Sequence, residues 1–224
     1  MLSAEKMRQY AERTRRILDQ SGAILSDDHF VYDSGQHGSG WIDKDVINER
    51  PDREDGLCAM LADLIRDLDA EVICGPATGG LIVSQWTAHA LGVLSVFAEH
   101  SDRPASAPGG PLRAPFVLRR GYDKVVNGKR VVVVDDVVNT GLAMRETVDA
   151  VLQCGGTVVA AAAIITRGNA RPADCGVTDL RYLLECKIPS WPAANCPLCR
   201  AGVPVNVQYA HGADFVARQA QGRR

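Results

Sequence analysis

Residues 130–141 read RVVVVDDVVNTG, and this stretch is the strongest indication of the fold in the sequence. Its four consecutive valines are typical of a parallel strand that is covered by helices on both faces. Two acids, Asp135 and Asp136, follow the valines, and a Thr-Gly turn leads into a helix-like pattern near 142–153. Ligands of parallel sheets bind at the carboxyl ends of the strands. The stretch therefore predicts a strand, a ligand-binding turn and a helix.

The same alternation of strand and helix surrounds this stretch. VIC at 72–74 is followed by a glycine-rich turn, GPATGG at 75–80, an apolar run to Leu91 and VLSVF at 93–97. Beyond the second predicted helix, TVVAAAAIIT at 157–166 is another apolar strand. Two such units predict an α/β fold with a Rossmann-like, mostly parallel sheet flanked by helices.

Composition narrows the classes of function. The chain has 224 residues, of which 46% are hydrophobic, and this is enough to bury one sizeable core. A net charge of -2 argues against a surface that binds nucleic acid, which needs clustered cations. No signal peptide is evident, and no stretch approaches the roughly 20 apolar residues that cross a membrane. We expect a cytoplasmic protein with reduced cysteines. The net charge is still compatible with a small anionic ligand.

The pattern also predicts how the chain is organised. Amphipathic helices are expected at 3–20 and 53–68, and the proline-containing tail at 185–212 reads as irregular. We expect an N-terminal helix and hood element at 1–50, a core at 51–184, and a tail at 185–224 that completes the hood. The segment 98–114 is rich in Pro, Gly, Ser and Ala, and it predicts either a flexible active-site lid or an ordinary disordered insertion.

The turn after the valine strand suits a phosphate group. Backbone N–H groups of Asn139, Thr140, Gly141 and Leu142, together with the helix dipole, can cradle an anion. The two acids can accept hydrogen bonds from vicinal ribose hydroxyls, either directly or through a metal. The alternative is a helix cap beside a solvated strand end, but capping alone does not account for the combination of valines, paired acids and Thr-Gly turn.

On these residues the chain resembles the type I phosphoribosyltransferase family. The resemblance implies that the loop holds the 5-phosphate of phosphoribosyl pyrophosphate (PRPP), that the acids engage its ribose, and that GPATGG is the pyrophosphate loop. It also implies a homodimer and Mg²⁺ as cofactor, held through PRPP, with Asp135 and Asp136 as the candidate protein ligands. The implied PRPP-binding residues are Asp135, Asp136, Val137, Val138, Asn139, Thr140, Gly141, Leu142 and Ala143, with Ala77, Thr78, Gly79 and Gly80.

Further resemblance concerns the base. HFVYDSGQHGSGWIDK at 29–44 is similar to the N-terminal element of orotate phosphoribosyltransferases, which implies that Trp41 and Ile42 lie beside orotate. The resemblance also implies that Asn139 contacts the base and that Arg167 pairs with its carboxylate, since a guanidinium fork suits a carboxylate. Core packing is the alternative for Trp41, and an exposed strand end is the alternative for Arg167. CPLCRAGVPV at 196–205 resembles a tail in a bacterial branch of these enzymes.

The chain departs from the family pattern at its cations. The lid has no lysine, Arg103 is its best remaining cation and is expected to act in catalysis, and Asp33 and Gly79 stand where the family has lysines. Asn139 replaces a threonine. Because an anionic leaving group needs positive charge, Mg²⁺ and the cations Arg103, Arg119, Arg120 and Lys44 are candidates to supply it. The expected activity is orotate phosphoribosyl transfer; the alternatives are a purine or other salvage transferase and a non-catalytic PRPP-binding regulator.

Cys196-Pro-Leu-Cys199 is half of a possible zinc site. The only candidates for further ligands are Cys186 and His211, both distant from this pair. His29, His37, His89 and His100 show no metal-binding spacing. Two reduced, packed cysteines are the main expectation, with zinc as the alternative.

Overall fold

The computed structural model describes residues 2–32, 34–102, 114–168 and 170–221, with no account of the side chains beyond residue 218. The chain forms two compact units, a larger one of residues 1–17 and 48–186 and a smaller one of residues 18–47 and 187–224. The division into segments 1–50, 51–184 and 185–224 stays a prediction. None of the helices in the described ranges combines the length and apolar character that a bilayer crossing requires.

The helices and strands are named in chain order. The helices are α1 (Ala4–Ser21), α2 (Asp45–Asn48), α3 (Pro51–Ile65), α4 (Gly79–Leu91), α5 (Tyr122–Val126), α6 (Leu142–Gln153), α7 (Pro197–Arg200) and α8 (Gly212–Gln221). The strands are β1 (Ile24–Val31), β2 (Gln36–Ile42), β3 (Val72–Pro76), β4 (Leu94–His100), β5 (Phe116–Leu118), β6 (Arg130–Val138), β7 (Thr157–Thr166), β8 (Leu180–Glu185) and β9 (Ser190–Pro192).

The larger unit contains a six-stranded sheet in the order β5-β4-β3-β6-β7-β8. Every neighbouring pair is parallel except β4 and β5. The chain moves outward from β3 to β4 in one direction and from β6 to β7 in the other. Because crossovers between parallel strands are right-handed, these two connections place α4 and α6 on opposite faces. The predicted α/β fold, a mostly parallel sheet flanked by helices, is confirmed.

The reversal of strand order positions the site. In doubly wound sheets, ligands bind where neighbouring strands lead in opposite directions, at the carboxyl ends of those strands. Here the reversal lies between β3 and β6. The two loops at that edge are GPATGG after β3 and NTG after β6, which are the turns that the sequence singles out.

Burial explains the valine run of β6. Val131, Val132, Val133 and Val134 are all fully buried. Side chains alternate across a strand, so successive valines face opposite layers. Val131 and Val133 belong to a core cluster with Met144 and Val148 of α6. A strand covered on both faces needs such a continuous apolar run.

The smaller unit contains a three-stranded antiparallel sheet in the order β1-β2-β9. The β1–β2 hairpin pairs Leu25 with Trp41 and Val31 with His37, and a register shift lies between Ser26 and Phe30. The Tyr32 hydroxyl donates a hydrogen bond of 2.6 Å to the Gly40 carbonyl, which ties the hairpin together.

Several elements differ from the sequence expectations. The helix expected at 53–68 ends at Ile65 and continues as a 3₁₀ turn over Arg66–Leu68. The tail expected to be irregular contains β9 and α7, and β8 and α8 carry no sequence prediction. The segment 98–114 is not a loop throughout, because β4 extends to His100. Its residues 103–113, including Arg103, lie outside the described ranges.

Candidate active site

The loop after β6 is built to present backbone N–H groups. The Arg145 N–H donates to the Gly141 carbonyl at 2.9 Å, the first bond of the α6 ladder. The N–H groups of Leu142, Ala143 and Met144 have no acceptor in the helix itself. Among the described residues no side chain caps this helix. The first turn can therefore bind an anion, with the positive end of the helix dipole behind it.

Gly141 shapes this loop. Its φ of +83° lies in the left-handed region, which side chains disfavour. A Cβ atom there would lie 2.9 Å from Cys175 Sγ and 3.0 Å from the Asp174 carbonyl carbon. Glycine is required for the close approach of the loop to the turn at 172–175.

The paired acids are nearly buried at the end of β6. Asp135 is 9% exposed and Asp136 is 7% exposed. The Asp136 N–H donates to Asp135 Oδ1 at 3.0 Å, and the Val137 N–H donates to Asp136 Oδ1 at 2.6 Å. Each carboxylate is thus oriented by the backbone of the following residue. Oriented, nearly buried carboxylates are suited to hold vicinal hydroxyls or a hard cation.

The glycine-rich loop after β3 lies against this site. A Cβ atom on Gly75 would overlap the Gly80 backbone, and one on Gly80 would lie 3.0 Å from the Val134 carbonyl and 3.1 Å from Asp135 Oδ1. The Ala77 N–H donates to the Ala98 carbonyl at 2.7 Å. Thr78 is exposed at the start of α4. The two predicted phosphate loops are therefore neighbours, in contact where Gly80 meets Asp135.

Arg167 directly follows β7 and is only 8% exposed. Its backbone N–H donates to the Val138 carbonyl at 3.0 Å, which holds it beside the loop after β6. The alternative of an exposed strand-end arginine is wrong, because Arg167 is nearly buried. Arginine is almost never fully buried unless it is paired with an anion.

Glu54 is a residue of this region that the sequence analysis missed. It lies on α3, is 2% exposed, and accepts a contact of 3.5 Å from the Cys58 thiol. Burial raises the pKa of Glu54, the Cys58 hydrogen bond opposes the rise, and the charge of Asp136 adds to it. The available signal was an acid in register with Leu57 and Leu61 on the apolar face of the helix.

Arg119 and Arg120, two of the other predicted cations, form ion pairs with neighbouring acids. Arg119 pairs with Asp102 at 2.9 Å, and Arg120 pairs with Glu99 at 3.1 Å. The Arg120 guanidinium also lies 5.7 Å from the centre of the Phe97 ring. Both arginines are therefore already engaged by carboxylates.

Trp41 and Ile42 lie on β2 of the smaller unit. Trp41 is half-buried, and its ring stacks near Tyr32 with 6.3 Å between ring centres. Ile42 is 7% exposed. Their predicted contact with orotate stays a prediction, as does the contact of Asn139 with the base.

Comparison with known proteins agrees with this geometry. The phosphoribosyl transferase domain model matches residues 44–190. The orotate phosphoribosyltransferase of Pelotomaculum thermopropionicum is 36% identical over 84% of this chain and 91% of its own length. That of Brucella ovis is 39% identical over the same shares of the two chains.

Solved structures show the same fold. The orotate phosphoribosyltransferase from Aeropyrum pernix superposes with a TM-score of 0.57 at 26% identity, covering 77% of this chain and 93% of its own. The adenine phosphoribosyltransferase from Thermoanaerobacter pseudethanolicus gives 0.60 at 16% identity, covering 78% and 99%. Because the domain model matches more than half of the chain and these relatives align with most of it, the chain belongs to the phosphoribosyltransferase family.

Proposed function

We propose that this protein transfers ribose 5-phosphate from PRPP to orotate, giving orotidine 5′-monophosphate and pyrophosphate. The observation that carries the proposal is Arg167, a buried guanidinium whose backbone is bonded to Val138 beside the phosphate loop. Relatives named orotate phosphoribosyltransferase support the same base.

The donor is expected to bind across the two loops. The 5-phosphate accepts from the backbone of 139–143, and the Thr140 hydroxyl is exposed there to join it. The pyrophosphate lies along Ala77, Thr78, Gly79 and Gly80, where the glycines allow close approach of the backbone. The ribose hydroxyls donate to Asp135 and Asp136. This arrangement fixes the anomeric carbon relative to the base.

The donor set at this site fits Mg²⁺. Asp135 and Asp136 offer carboxylate oxygens, and Mg²⁺ is bound in proteins through one or two carboxylates together with substrate phosphates. When bound with PRPP, Mg²⁺ neutralises charge on the pyrophosphate. The chain's own part is to hold the two carboxylates in place through the N–H groups of Asp136 and Val137.

The reaction is a displacement at the anomeric carbon. The bond from that carbon to pyrophosphate breaks, the bond to the orotate ring nitrogen forms, and positive charge develops on the ribose in between. The proton of that ring nitrogen leaves to the departing pyrophosphate or to water. The nearby carboxylates stabilise that charge. No side chain needs to act as nucleophile, so the protein contributes by positioning the two substrates and excluding water.

The negative charge of the leaving pyrophosphate must be stabilised by cations, and the lid has no lysine to supply one. Arg103, Arg119, Arg120 and Lys44 are the candidates, assisted by Mg²⁺. Arg119 and Arg120 would have to exchange Asp102 and Glu99 for the substrate. The lysine-free lid is also the observation that favours the second candidate function, a PRPP-binding regulator without turnover.

The test is base selection in Arg167 variants. Arg167→Gln removes the charge and Arg167→Lys removes the fork, whereas Arg171→Gln changes an exposed arginine a few residues away. The KM for orotate should rise at least tenfold in both Arg167 variants, with the smaller effect for lysine, and stay unchanged in Arg171→Gln. An Arg167→Gln enzyme with wild-type kcat/KM for orotate would refute the assignment. PRPP binding without turnover of any base by the wild type would favour the regulator.

A further inference from the structure

Four potential metal ligands meet within the smaller unit. His29 lies on β1 and His37 on β2. Cys196 is the N-cap residue of α7, and Cys199 lies within that helix. One ligand atom from each residue lies within 4.8 Å of all the others. His29, His37 and Cys196 are essentially buried, whereas Cys199 is exposed, which leaves a path for an ion to enter.

The distances between the ligand atoms suit a single ion. Cys196 Sγ and Cys199 Sγ lie 3.6 Å and 3.7 Å from His29 Nε2, and Cys199 Sγ lies 3.3 Å from His37 Nδ1. The two histidine nitrogens are 2.8 Å apart. Zinc bonds of about 2.0–2.3 Å in a tetrahedron place neighbouring ligands roughly 3.3–3.8 Å apart. A slight increase in the distance between His29 Nε2 and His37 Nδ1 would complete the tetrahedron.

The surrounding hydrogen bonds orient His29 for this role. Its Nδ1 lies 2.8 Å from the Val203 carbonyl, so the proton resides on Nδ1 and the Nε2 lone pair faces the cluster. Asn206 holds the same residue from outside, because its N–H donates to the His29 carbonyl at 2.7 Å. Metal-binding histidines characteristically donate their second ring nitrogen to such a carbonyl.

We propose that His29, His37, Cys196 and Cys199 bind one structural Zn²⁺ ion. Two thiolates and two neutral imidazoles balance the charge of the ion, and both cysteine protons are released on binding. Four protein ligands leave no open position, so the ion has a structural and not a catalytic role. Two sulfur and two imidazole ligands favour zinc over the harder Mg²⁺.

The smaller unit has a structural need for such a site. Beyond residue 186, among the described positions, Cys196 is the only hydrophobic residue in the buried core. A tail with so little apolar burial gains little from the hydrophobic effect, and small units of this kind are commonly held by metals. The ion would fasten the tail to the β1–β2 hairpin.

The site also corrects the sequence expectation. The additional ligands are His29 and His37, not Cys186 or His211. Neither a helical nor a short-loop spacing links the two histidines in sequence. The hairpin register brings them together, with Val31 opposite His37 and a shift in pairing next to His29.

The first experiment measures zinc in the purified chain by plasma mass spectrometry after dialysis against a weak chelator. Wild type should retain about one zinc per chain. Cys199→Ser and His37→Asn should retain at least tenfold less. Cys154→Ser and His89→Asn, which change a cysteine and a histidine outside the cluster, should match the wild type.

The second experiment needs no variant, so it holds even if the substituted chains misfold. Wild-type protein reconstituted with Co²⁺ should show the intense visible bands of a tetrahedral ion and thiolate charge transfer. Weak octahedral bands, no stoichiometric metal after reconstitution, or a Cys196–Cys199 disulfide in freshly purified protein would overturn the proposal. Equal metal loss in Cys154→Ser would do the same.

Discussion

Replacing Gly141 with alanine tests the loop geometry most sharply. At φ +83° an L side chain costs about 1–2 kcal/mol. The added Cβ would also lie 2.9 Å from Cys175 Sγ and 3.0 Å from the Asp174 carbonyl carbon. Overpacking of this kind costs about 1–3 kcal/mol. The free energy of unfolding should therefore fall by about 2–5 kcal/mol, and PRPP affinity should fall because the displaced amides are the ones proposed to bind its 5-phosphate.

Gly128→Ala is the matched control. Gly128 has a similar φ of +70°, but a Cβ there meets nothing within 4 Å. Its cost should be the backbone strain alone, about 1–2 kcal/mol, with unchanged PRPP binding. Urea unfolding followed by circular dichroism, and calorimetric titration with PRPP, measure both quantities. Equal losses of stability in the two variants, or wild-type PRPP affinity in Gly141→Ala, would refute the reasoning.

Three further predictions concern buried or oriented acids. Asp135→Asn and Asp136→Asn should each lower kcat/KM by about 100-fold or more, since they remove charge that stabilises the developing cation; steady-state kinetics at saturating Mg²⁺ measure this, and wild-type values in either variant would contradict it. Burial raises the pKa of Glu54, so its protonated form stabilises the fold below about pH 4 and that contribution is lost as the pH rises through the raised pKa. Glu54→Gln should thus gain stability relative to wild type as the pH rises above about 4, and a pH-independent difference in unfolding free energy would argue against this. Tyr10→Phe removes a 2.7 Å hydrogen bond to Asp63 and should cost about 1–2 kcal/mol at neutral pH. The bond lowers the pKa of Asp63, so the cost should shrink in acid; a constant cost would show that the bond is not the cause.

The sequence predicted the central elements of the larger unit closely. The expected helix at 142–153 and strand at 157–166 coincide with α6 and β7, and the valine strand, expected at 130–136, continues to Val138. Unbroken apolar runs and a glycine turn are strong local signals because both faces of such strands are buried. The two glycine-containing turns that follow β3 and β6 were recognisable for the same reason.

The smaller unit was largely hidden from sequence reasoning. Strand β2 reads QHGSGWI, in which glycines interrupt the alternation of side chains that marks a strand. Strand β9 has only three residues. In the larger unit, β8 carried no sequence prediction either, because it is an edge strand with a partly buried arginine, Arg181. These elements form through tertiary pairing, which no local pattern reports.

Parts of the site were hidden for a related reason. Glu54 is linked to the site only by its electrostatic interaction with Asp136, which is close in space but distant in sequence. The cluster of His29, His37, Cys196 and Cys199 likewise depends on the hairpin register and on the path of the tail. Spacing in sequence carries information about ligands only when they share a helix, a turn or a short loop.

The most direct test of the central claim is a steady-state assay of the purified protein with Mg²⁺ and PRPP. It follows the loss of orotate absorbance, with adenine, guanine, hypoxanthine and uracil supplied in parallel. We expect consumption of orotate alone, with orotidine 5′-monophosphate and pyrophosphate formed in equal amounts. Turnover of a purine in preference to orotate, or no turnover despite PRPP binding, would contradict it.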